Sequence, residues 1–146
     1  MLTLEKRYWL WLALGVAGLD AVFKYLALDR LSETKENIIY PVDLLLHKNP
    51  GIAFDIELGL PTIFIASFLI LGWLLHDANK TWHSERFRAS TNLIIVIGAM
   101  GNLVDRAVNN FTTDYLLIFG STVINLSDIL VLFGVLLLLQ YNRSTT

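Results

Sequence analysis

The chain alternates between long apolar stretches and shorter polar ones. Four stretches carry no Asp, Glu, Lys or Arg, and with their borders each covers about 18 to 21 residues, the length that a helix needs to cross a bilayer. Ile63–Leu71 has no polar stripe at helical spacing, which argues against a soluble bundle. We therefore predict an all-α membrane protein with four transmembrane helices. The charge-free stretches are Tyr8–Leu19, Leu58–His76, Thr91–Val104 and Ile129–Asn142, and the predicted helices cover about 8–28, 60–76, 90–108 and 124–141.

The connections between the predicted helices differ in length. The first one, Asp29–Glu57, is the longest polar region and contains two β-prone runs, Ile38–Tyr40 and Val42–Leu46. We predict that these runs form a small extracytoplasmic β-containing region between helices one and two, lying on the membrane surface. The region closes with Asn49-Pro-Gly, which is a turn signal. The connection Asn109–Val123 is predicted to be short and on the same side, and residues 1–146 to form a single domain.

Composition agrees with membrane insertion. The chain is 55% hydrophobic and 16% charged, with a mean hydropathy of +0.57, whereas soluble domains carry about 25% charged residues. A net charge of −2 argues against a nucleic-acid partner. The absence of cysteine excludes disulfides, thiolate zinc sites and cysteine nucleophiles. The three histidines lack metal-ligand spacing, so no metal is expected.

Positive residues predict how the chain crosses the membrane. The N-terminus, the connection 77–89 and the tail hold six Lys and Arg residues, whereas the connections on the other side hold three. By the positive-inside rule, both termini are predicted to be cytoplasmic. The first apolar segment is predicted to be a retained helix, because no small-x-small cleavage site follows it. The six residues are Lys6, Arg7, Lys80, Arg86, Arg88 and Arg143, and the three are Arg30, Lys35 and Lys48.

Polar residues of the apolar segments gather at one predicted membrane face, the outer one. The densest group is Gly101-Asn-Leu-Val-Asp-Arg106, near the end of helix three. Charge in a membrane segment is costly and favours a functional site, although a snorkelling Arg with an Asp partner would give the same pattern. Asp20 and Lys24, four residues apart, are predicted to be a structural pair that supports the site. The predicted group comprises Asp20, Lys24, Asn49, Asn102, Asp105, Arg106, Asp114, Asn125 and Asp128.

Asp114 and Asp128 have no basic neighbour along the chain, whereas Asp105 is followed by Arg106 and Asp20 is paired with Lys24. Two carboxylates held close together cannot both ionise, so one keeps its proton. The ionised one can then act as general base towards a water while its partner polarises a carbonyl. This is the chemistry of an aspartic protease.

The same residues also bear on other functions. His-Glu-x-x-His and Gly-x-Ser-x-Gly motifs are absent, but a Ser–Lys dyad that uses Lys24 stays open. A small ion-coupled transporter would also place charge in the membrane. The chain has no internal repeat, and its polar residues crowd one face rather than tracing a path across.

Five short motifs, taken in order, resemble lipoprotein signal peptidase, also called signal peptidase II. Each motif is weak alone, but the ordered set is specific and extends over nearly the whole chain. The motifs are Asp20-x-x-x-Lys24, Asn49-Pro-Gly-x-Ala-Phe54, Gly101-Asn-x-x-Asp-Arg106, Asp114-Tyr115 and Asn125-x-x-Asp128.

The resemblance implies an aspartic endopeptidase of the bacterial cytoplasmic membrane, with its site near the outer face. Such enzymes remove signal peptides from prolipoproteins, cutting before a cysteine that carries diacylglycerol. They need no metal or organic cofactor, act among membrane lipids and are expected here as monomers. A catalytically inactive relative that binds lipidated peptides is the alternative. The resemblance assigns catalysis to Asp114 and Asp128, substrate binding or positioning to Asn49, Gly51, Asn102, Arg106 and Asn125, and structural support to Asp20, Lys24 and Asp105.

The chain departs from the family pattern in four places, none of which removes a catalytic group. The segment before the second aspartate is commonly Phe-Asn-x-Ala-Asp, whereas here it is Ile124-Asn-Leu-Ser-Asp128. Tyr115 replaces the commoner Phe, and Ala21 replaces a frequent Gln. The segment between the two aspartates is also shorter than usual, which bears on substrate preference.

Overall fold

The structure, a computed structural model, describes residues 5–34, 38–52, 56 and 58–145. In these residues four helices are long and apolar enough to cross a membrane, which confirms the predicted fold class. The helices are α1 (Glu5–Arg30), α2 (Leu60–Thr81), α3 (Arg86–Asn109) and α4 (Leu126–Thr145). The strands β1 (Val42–Asn49), β2 (Thr112–Ile118) and β3 (Thr122–Ile124) form one sheet.

Helix α3 lies at the centre of the bundle. It packs against α1, α2 and α4. In its most apolar stretch 56% of the residues are buried, compared with 17% to 22% in the corresponding stretches of the other helices. Leu74 of α2 shares one buried cluster with Ile95 of α3. Ala13 of α1 and Leu130 of α4 share another with Ile94. The outer helices leave large apolar side chains exposed, which suits a lipid environment because lipid tails are equally apolar.

Helices α3 and α4 approach each other closely at glycine residues. A Cβ on Gly98 would lie 2.8 Å from the carbonyl oxygen of Ser127, and a Cβ on Gly101 would overlap the Ser127 hydroxyl. On α4, a Cβ at Gly134 would lie 2.5 Å from the side chain of Ile95. Small residues of this kind let membrane helices pack backbone to backbone. The first turn of α4 is therefore fixed against the middle of α3.

The sheet has the order β1-β2-β3 and is antiparallel throughout. Asn49 at the end of β1 pairs with Thr112 at the start of β2, and His47 pairs with Asp114. In the turn from β2 to β3, Gly120 takes a φ of +67°, which a residue without Cβ adopts freely. This register brings the end of β1 next to the part of β2 that carries Asp114.

The predicted β-containing region between helices one and two is confirmed by β1, but two details of the sheet differ from the expectation. The run Ile38–Tyr40 is not a strand, although Val42–Leu46 lies within β1. The connection after α3 supplies two of the three strands, so the sheet is not confined to the region between α1 and α2. The β-branched and aromatic residues of this connection favour strand pairing once β1 provides a partner. Helix α4 consequently starts at Leu126 rather than at 124, because residues 122–124 pair in β3.

A second polar cluster lies at the opposite end of α3. Helix α2 continues to Thr81 rather than ending at 76, so Asp77 lies on the helix and not in a loop. Arg88 donates hydrogen bonds of 2.8 and 2.9 Å to the Asp77 carboxylate, and Asn92 donates another of 2.7 Å. The predicted polar group therefore lies at one end of α3, and a second polar cluster, which was not predicted, lies at the other. Buried polar residues occupy both ends of α3.

Candidate active site

Asn125 connects two carboxylates, those of Asp114 on β2 and Asp128 in the first turn of α4. Its side-chain amide donates to Oδ1 of Asp114 at 2.6 Å. Its side-chain oxygen accepts the N–H of Asp128 at 2.9 Å, and its own N–H donates to Oδ2 of Asp128 at 3.2 Å. This reciprocal pair has the pattern of a capping box, with Asn and Asp in the two positions. The motif therefore starts α4 and also brings the Asp128 carboxylate towards Asp114.

Two further amides complete the contacts of the carboxylate pair. Asn49 donates to Oδ2 of Asp114 at 3.2 Å, and Asn102 donates to Oδ1 of Asp128 at 2.8 Å. Asn49 is fixed by its own turn, since its side-chain oxygen accepts the N–H of Gly51 at 2.9 Å. Each of the four carboxylate oxygens thus accepts a hydrogen bond from a neutral amide. Within the described residues, the hydrogen bonds to the pair come from amides, and the nearby Arg106 acts on both acids through its charge.

Both carboxylates line a cavity of about 400 Å³ between the sheet and α4. Asn49 and Arg106 also line it, and its remaining wall is mostly apolar, with Leu132 and Val135 along α4. A mostly apolar cavity with a few convergent polar groups is typical of a ligand site. An extended peptide with an apolar segment fits that division between polar and apolar walls.

Arg106 and Asp105 attract each other by charge, but their hydrogen bonds go to different groups. Consecutive residues of a helix point in different directions. The guanidinium of Arg106 donates to the carbonyl of Gly51 at 2.7 Å and lines the cavity. Asp105 instead accepts the N–H of Thr113 at 2.6 Å and lies 3.4 Å from the ammonium of Lys24. Asp105 therefore ties α3 to the start of β2.

Lys24 is the cation at the centre of this end of the bundle. Its ammonium lies 2.9 Å from Asp20 and 3.4 Å from Asp105, and donates to the side-chain oxygen of Asn102 at 2.7 Å. The bond to Lys24 fixes the Asn102 side chain so that its NH₂ group points to Asp128. Lys24 therefore acts on the carboxylate pair through Asn102 and not by direct contact.

Asp20 is a buried hydrogen-bond acceptor that joins α1 to the sheet and to α4. It accepts the phenol of Tyr115 at 2.9 Å, the N–H of Leu126 at 3.0 Å and the hydroxyl of Ser127 at 2.7 Å. Burial and the adjacent Asp20 charge raise the pKa of Tyr115 well above its usual value, so the phenol stays protonated. The Ser127 hydroxyl bonds to Asp20 and not to Lys24, so the geometry does not favour the Ser–Lys dyad that the sequence left open.

The structural roles of Tyr115, Ser127 and Thr113 were not predicted. Tyr115 and Ser127 were noted only as departures from the family pattern, yet their two extra hydroxyls meet at one carboxylate. Two hydroxyl substitutions close to a buried acid were the available signal. Thr113 carried no signal of its own. All the predicted site residues nevertheless belong to one hydrogen-bonded network, which runs from Asp20 to Gly51.

The pKa of Asp114 is raised to about 6. Burial is the main cause and the charge of Asp128 is the next, whereas hydrogen bonds from Asn125 and Asn49 and the charge of His47 lower the pKa. A carboxyl with this pKa exchanges its proton near neutral pH, as general acid–base chemistry requires. The geometry is suited to activating a water molecule next to a peptide carbonyl.

Comparison with protein families gives a direct result. The family described as signal peptidase (SPase) II matches residues 12–142. The chain belongs to this family. The resemblance deduced from the five motifs is therefore confirmed, and with it the signal peptidase II type of protease activity. Together with the four helices, membership makes the chain a multi-pass bacterial membrane protein.

Individual relatives agree with the family match. The chain is 33% identical to the lipoprotein signal peptidase of Bartonella tribocorum, over 92% of this chain and 87% of the relative. It is 36% identical to that of Halothermothrix orenii, over 84% and 86%. A solved structure described as a bacterial membrane enzyme, at 1.9 Å resolution, superimposes with a TM-score of 0.76 at 22% identity, over 95% of this chain and 94% of that one. This likeness shows the shared fold.

Proposed function

We propose that this protein is an intramembrane aspartic endopeptidase that removes the signal peptide from prolipoproteins, cutting before a diacylglyceryl-modified cysteine. Asp114 and Asp128 are its catalytic pair. The observation that carries the proposal is the bridge through Asn125, which holds two cavity-lining carboxylates with neutral amides on all four oxygens. Family membership supplies the substrate class, since the curated relatives are lipoprotein signal peptidases.

The reaction uses one protonated and one ionised carboxyl. The ionised carboxylate takes a proton from water, whose oxygen attacks the scissile carbonyl, while the other carboxyl donates its proton to the carbonyl oxygen. The resulting gem-diol collapses when the base returns its proton to the leaving nitrogen, the C–N bond breaks, and the second carboxylate recovers a proton from a hydroxyl. The raised pKa of Asp114, about 6, supports Asp114 as the initial proton carrier and Asp128 as the base.

The remaining polar residues position the reacting groups. Asn49, Asn102 and Asn125 fix the two carboxylates by hydrogen bonds, which is the preorganisation that acid–base catalysis needs. Arg106 lines the cavity and is tied to Gly51, so it is suited to bind peptide carbonyls of the substrate. The apolar cavity wall along α4 suits the hydrophobic segment of a signal peptide. The supporting residues are Asp20, Lys24 and Asp105.

The site is proposed to lie near the outer face of the cytoplasmic membrane, with both termini in the cytoplasm and the enzyme active as a monomer. The excess of Lys and Arg at the termini and in the connection 77–89 supports this orientation. Reporter fusions at the C-terminus and in the β2–β3 turn test the orientation, since they should report opposite sides of the membrane.

Cleavage of a diacylglyceryl-modified prolipoprotein tests the catalytic assignment. Asp114→Asn and Asp128→Asn should each lower the rate by about 10³-fold or more. Asp29→Asn is the matched control, because the Asp29 side chain is 61% exposed at the end of α1. Normal cleavage by either dyad variant would refute the assignment. Substrate binding by the unaltered protein without cleavage would favour an inactive relative, and Asp105-dependent ion flux without cleavage would favour a transporter.

A further inference from the structure

Two unsatisfied polar groups lie at the wall of the catalytic cavity. In the part of the chain that the structure describes, three buried side-chain polar atoms lack a hydrogen-bond partner, namely Oδ1 of Asn92, Nε of Arg106 and Oγ1 of Thr112. Arg106 and Thr112 both line the cavity that contains Asp114 and Asp128. Buried polar groups without partners are rare and costly in folded proteins. Two of them at one cavity indicate that the partner is a bound molecule.

Thr112 lies where it can contact a bound peptide close to the bond that is cleaved. It is the first residue of β2, and only 2% of it is exposed. Residues two apart on a strand share a face, so Thr112 lies on the same face of β2 as Asp114, about 7 Å away along the strand. An extended peptide advances by the same distance in two residues.

The neighbouring threonine shows what a structural role looks like. The hydroxyl of Thr113 donates to Asp105 at 3.2 Å, and its N–H donates to the same carboxylate at 2.6 Å. Thr113 therefore ties β2 to α3. No described contact uses the hydroxyl of Thr112, so within the described part of the fold a valine would serve equally well at that position.

We propose that Thr112 is a substrate-binding residue, whose hydroxyl donates a hydrogen bond to a peptide carbonyl about two residues from the scissile bond. The inference rests on the proposed roles of Asp114 and Asp128. Rotation about χ1 turns the hydroxyl between staggered positions without moving the strand. The orphan N–H of Arg106 at the same cavity also requires an acceptor, which a peptide backbone supplies at regular intervals. Together the two donors bind the substrate in an extended conformation.

Replacing Thr112 by valine tests the inference, because valine keeps the shape and removes the hydroxyl. With the full chain in detergent and a diacylglyceryl-modified prolipoprotein peptide, Thr112→Val should raise KM about fivefold to tenfold with little change in kcat. Its melting temperature should stay the same or rise, since an unsatisfied group is removed. Thr112→Ser keeps a hydroxyl and should restore KM. Thr113→Val should show the reverse pattern, with a lower melting temperature and an unchanged KM.

A second measurement separates this inference from the proposed function. Binding of the same peptide to the Asp128→Asn variant, with and without Thr112→Val, gives Kd without turnover. A Kd about fivefold weaker supports the role of Thr112, even if the unaltered protein fails to cleave and the proposed function falls. An unchanged Kd and KM in Thr112→Val would overturn the inference. So would a loss of affinity that follows a loss of melting temperature.

Discussion

A polar cluster that contains carboxylates lies at each end of α3, but the carboxylate oxygens are bound in different ways at the two ends. At one end, Arg88 binds both oxygens of Asp77 and Asn92 adds a third donor. At the other end, Asp114 and Asp128 accept hydrogen bonds from neutral amides and line a cavity. The first arrangement fixes a charge by pairing it with an opposite charge. The second arrangement holds two carboxyl groups, whose ionised forms carry the same charge, close to each other.

This difference distinguishes a structural cluster from the proposed catalytic pair. The Asp77 carboxylate is held by charge-assisted hydrogen bonds from Arg88 and by the amide of Asn92. A carboxyl held only by amides, buried and next to a second acid, has a raised pKa, as Asp114 has. Lys24 lies at the same end as the proposed pair, but its ammonium contacts Asp20 and Asp105, and its hydrogen bond towards the pair goes through Asn102. Both ends of α3 contain carboxylates and a cation, so the presence of charge alone does not distinguish them.

The largest expected contrast comes from the same substitution made at both ends. Asp128→Asn should reduce kcat by about 10³-fold or more, because one of the two acid–base groups is lost. Asp77→Asn should lower the melting temperature, because Arg88 loses its charged partner, while kcat of the folded enzyme stays close to that of wild type. Cleavage assays and thermal unfolding in detergent measure both quantities. A comparable loss of kcat in Asp77→Asn would remove the distinction.

Removing the cation at each end should have unequal effects on stability. Lys24→Met leaves Asp20 and Asp105 buried without their shared cation, and should lower the free energy of unfolding by about 3 to 5 kcal/mol. Arg88→Met should cost less, about 1 to 2 kcal/mol, because the Arg88 side chain is 32% exposed. Denaturant titration in mild detergent measures the difference. Equal losses would show that burial does not separate the two ends.

The pH profile of kcat should depend only on the end of α3 that holds Asp114 and Asp128. Activity needs one proton on the pair, so it should fall on the alkaline side as Asp114 loses its proton, with an apparent pKa near 6 that belongs to both acids. Asn49→Ala removes a hydrogen bond that lowers the pKa of Asp114, so the alkaline limb should move to higher pH by about half to one unit. Asn92→Ala, at the other end, should leave the limb in place. A limb that moves to lower pH in Asn49→Ala would contradict the assigned direction.

The smallest expected effect is that of the hydroxyls on Asp20. Ser127→Ala and Tyr115→Phe each remove one hydrogen bond to this carboxylate and should each lower the free energy of unfolding by about 1 kcal/mol. Lys24 and the N–H of Leu126 still hold Asp20 in both variants, so kcat should change little. Unfolding titrations and cleavage assays of the two variants check this. A loss of kcat as large as that of Asp128→Asn would mean that these hydroxyls take part in the chemistry.

The sequence predicted the helices, and it predicted which polar residues lie close together, for physical reasons. Long charge-free runs have one stable solution in a bilayer, which is a helix. Polar residues that interrupt such runs must find each other, and Asp20, Lys24 and Asn102 do so across α1 and α3. The catalytic roles of Asp114 and Asp128 stay predictions, because contacts and burial do not measure turnover.

The sequence could not predict which site residues bond to each other, nor most of the sheet. Strands β2 and β3 are short, and their stability depends on β1, which comes from a connection more than 60 residues earlier in the chain. Asp105 and Arg106 are adjacent in sequence but have different partners, which only the packing of α1 and the Gly51 turn determines. Asp77 and Arg88 were assigned to a loop, so their bond across two helix ends was missed.

The close contact between α3 and α4 has a consequence for how this chain can vary. At Gly98, Gly101 and Gly134 a single added carbon would meet the neighbouring helix, and the first two of these positions lie against the turn that carries Asp128. In a saturation-mutagenesis library selected for growth that depends on this enzyme, these glycines should tolerate as few replacements as the two aspartates. Intolerance to mutation would therefore mark the helix contact at these glycines as readily as it marks the two aspartates. Only cleavage assays of the purified variants would distinguish a packing role from a catalytic one.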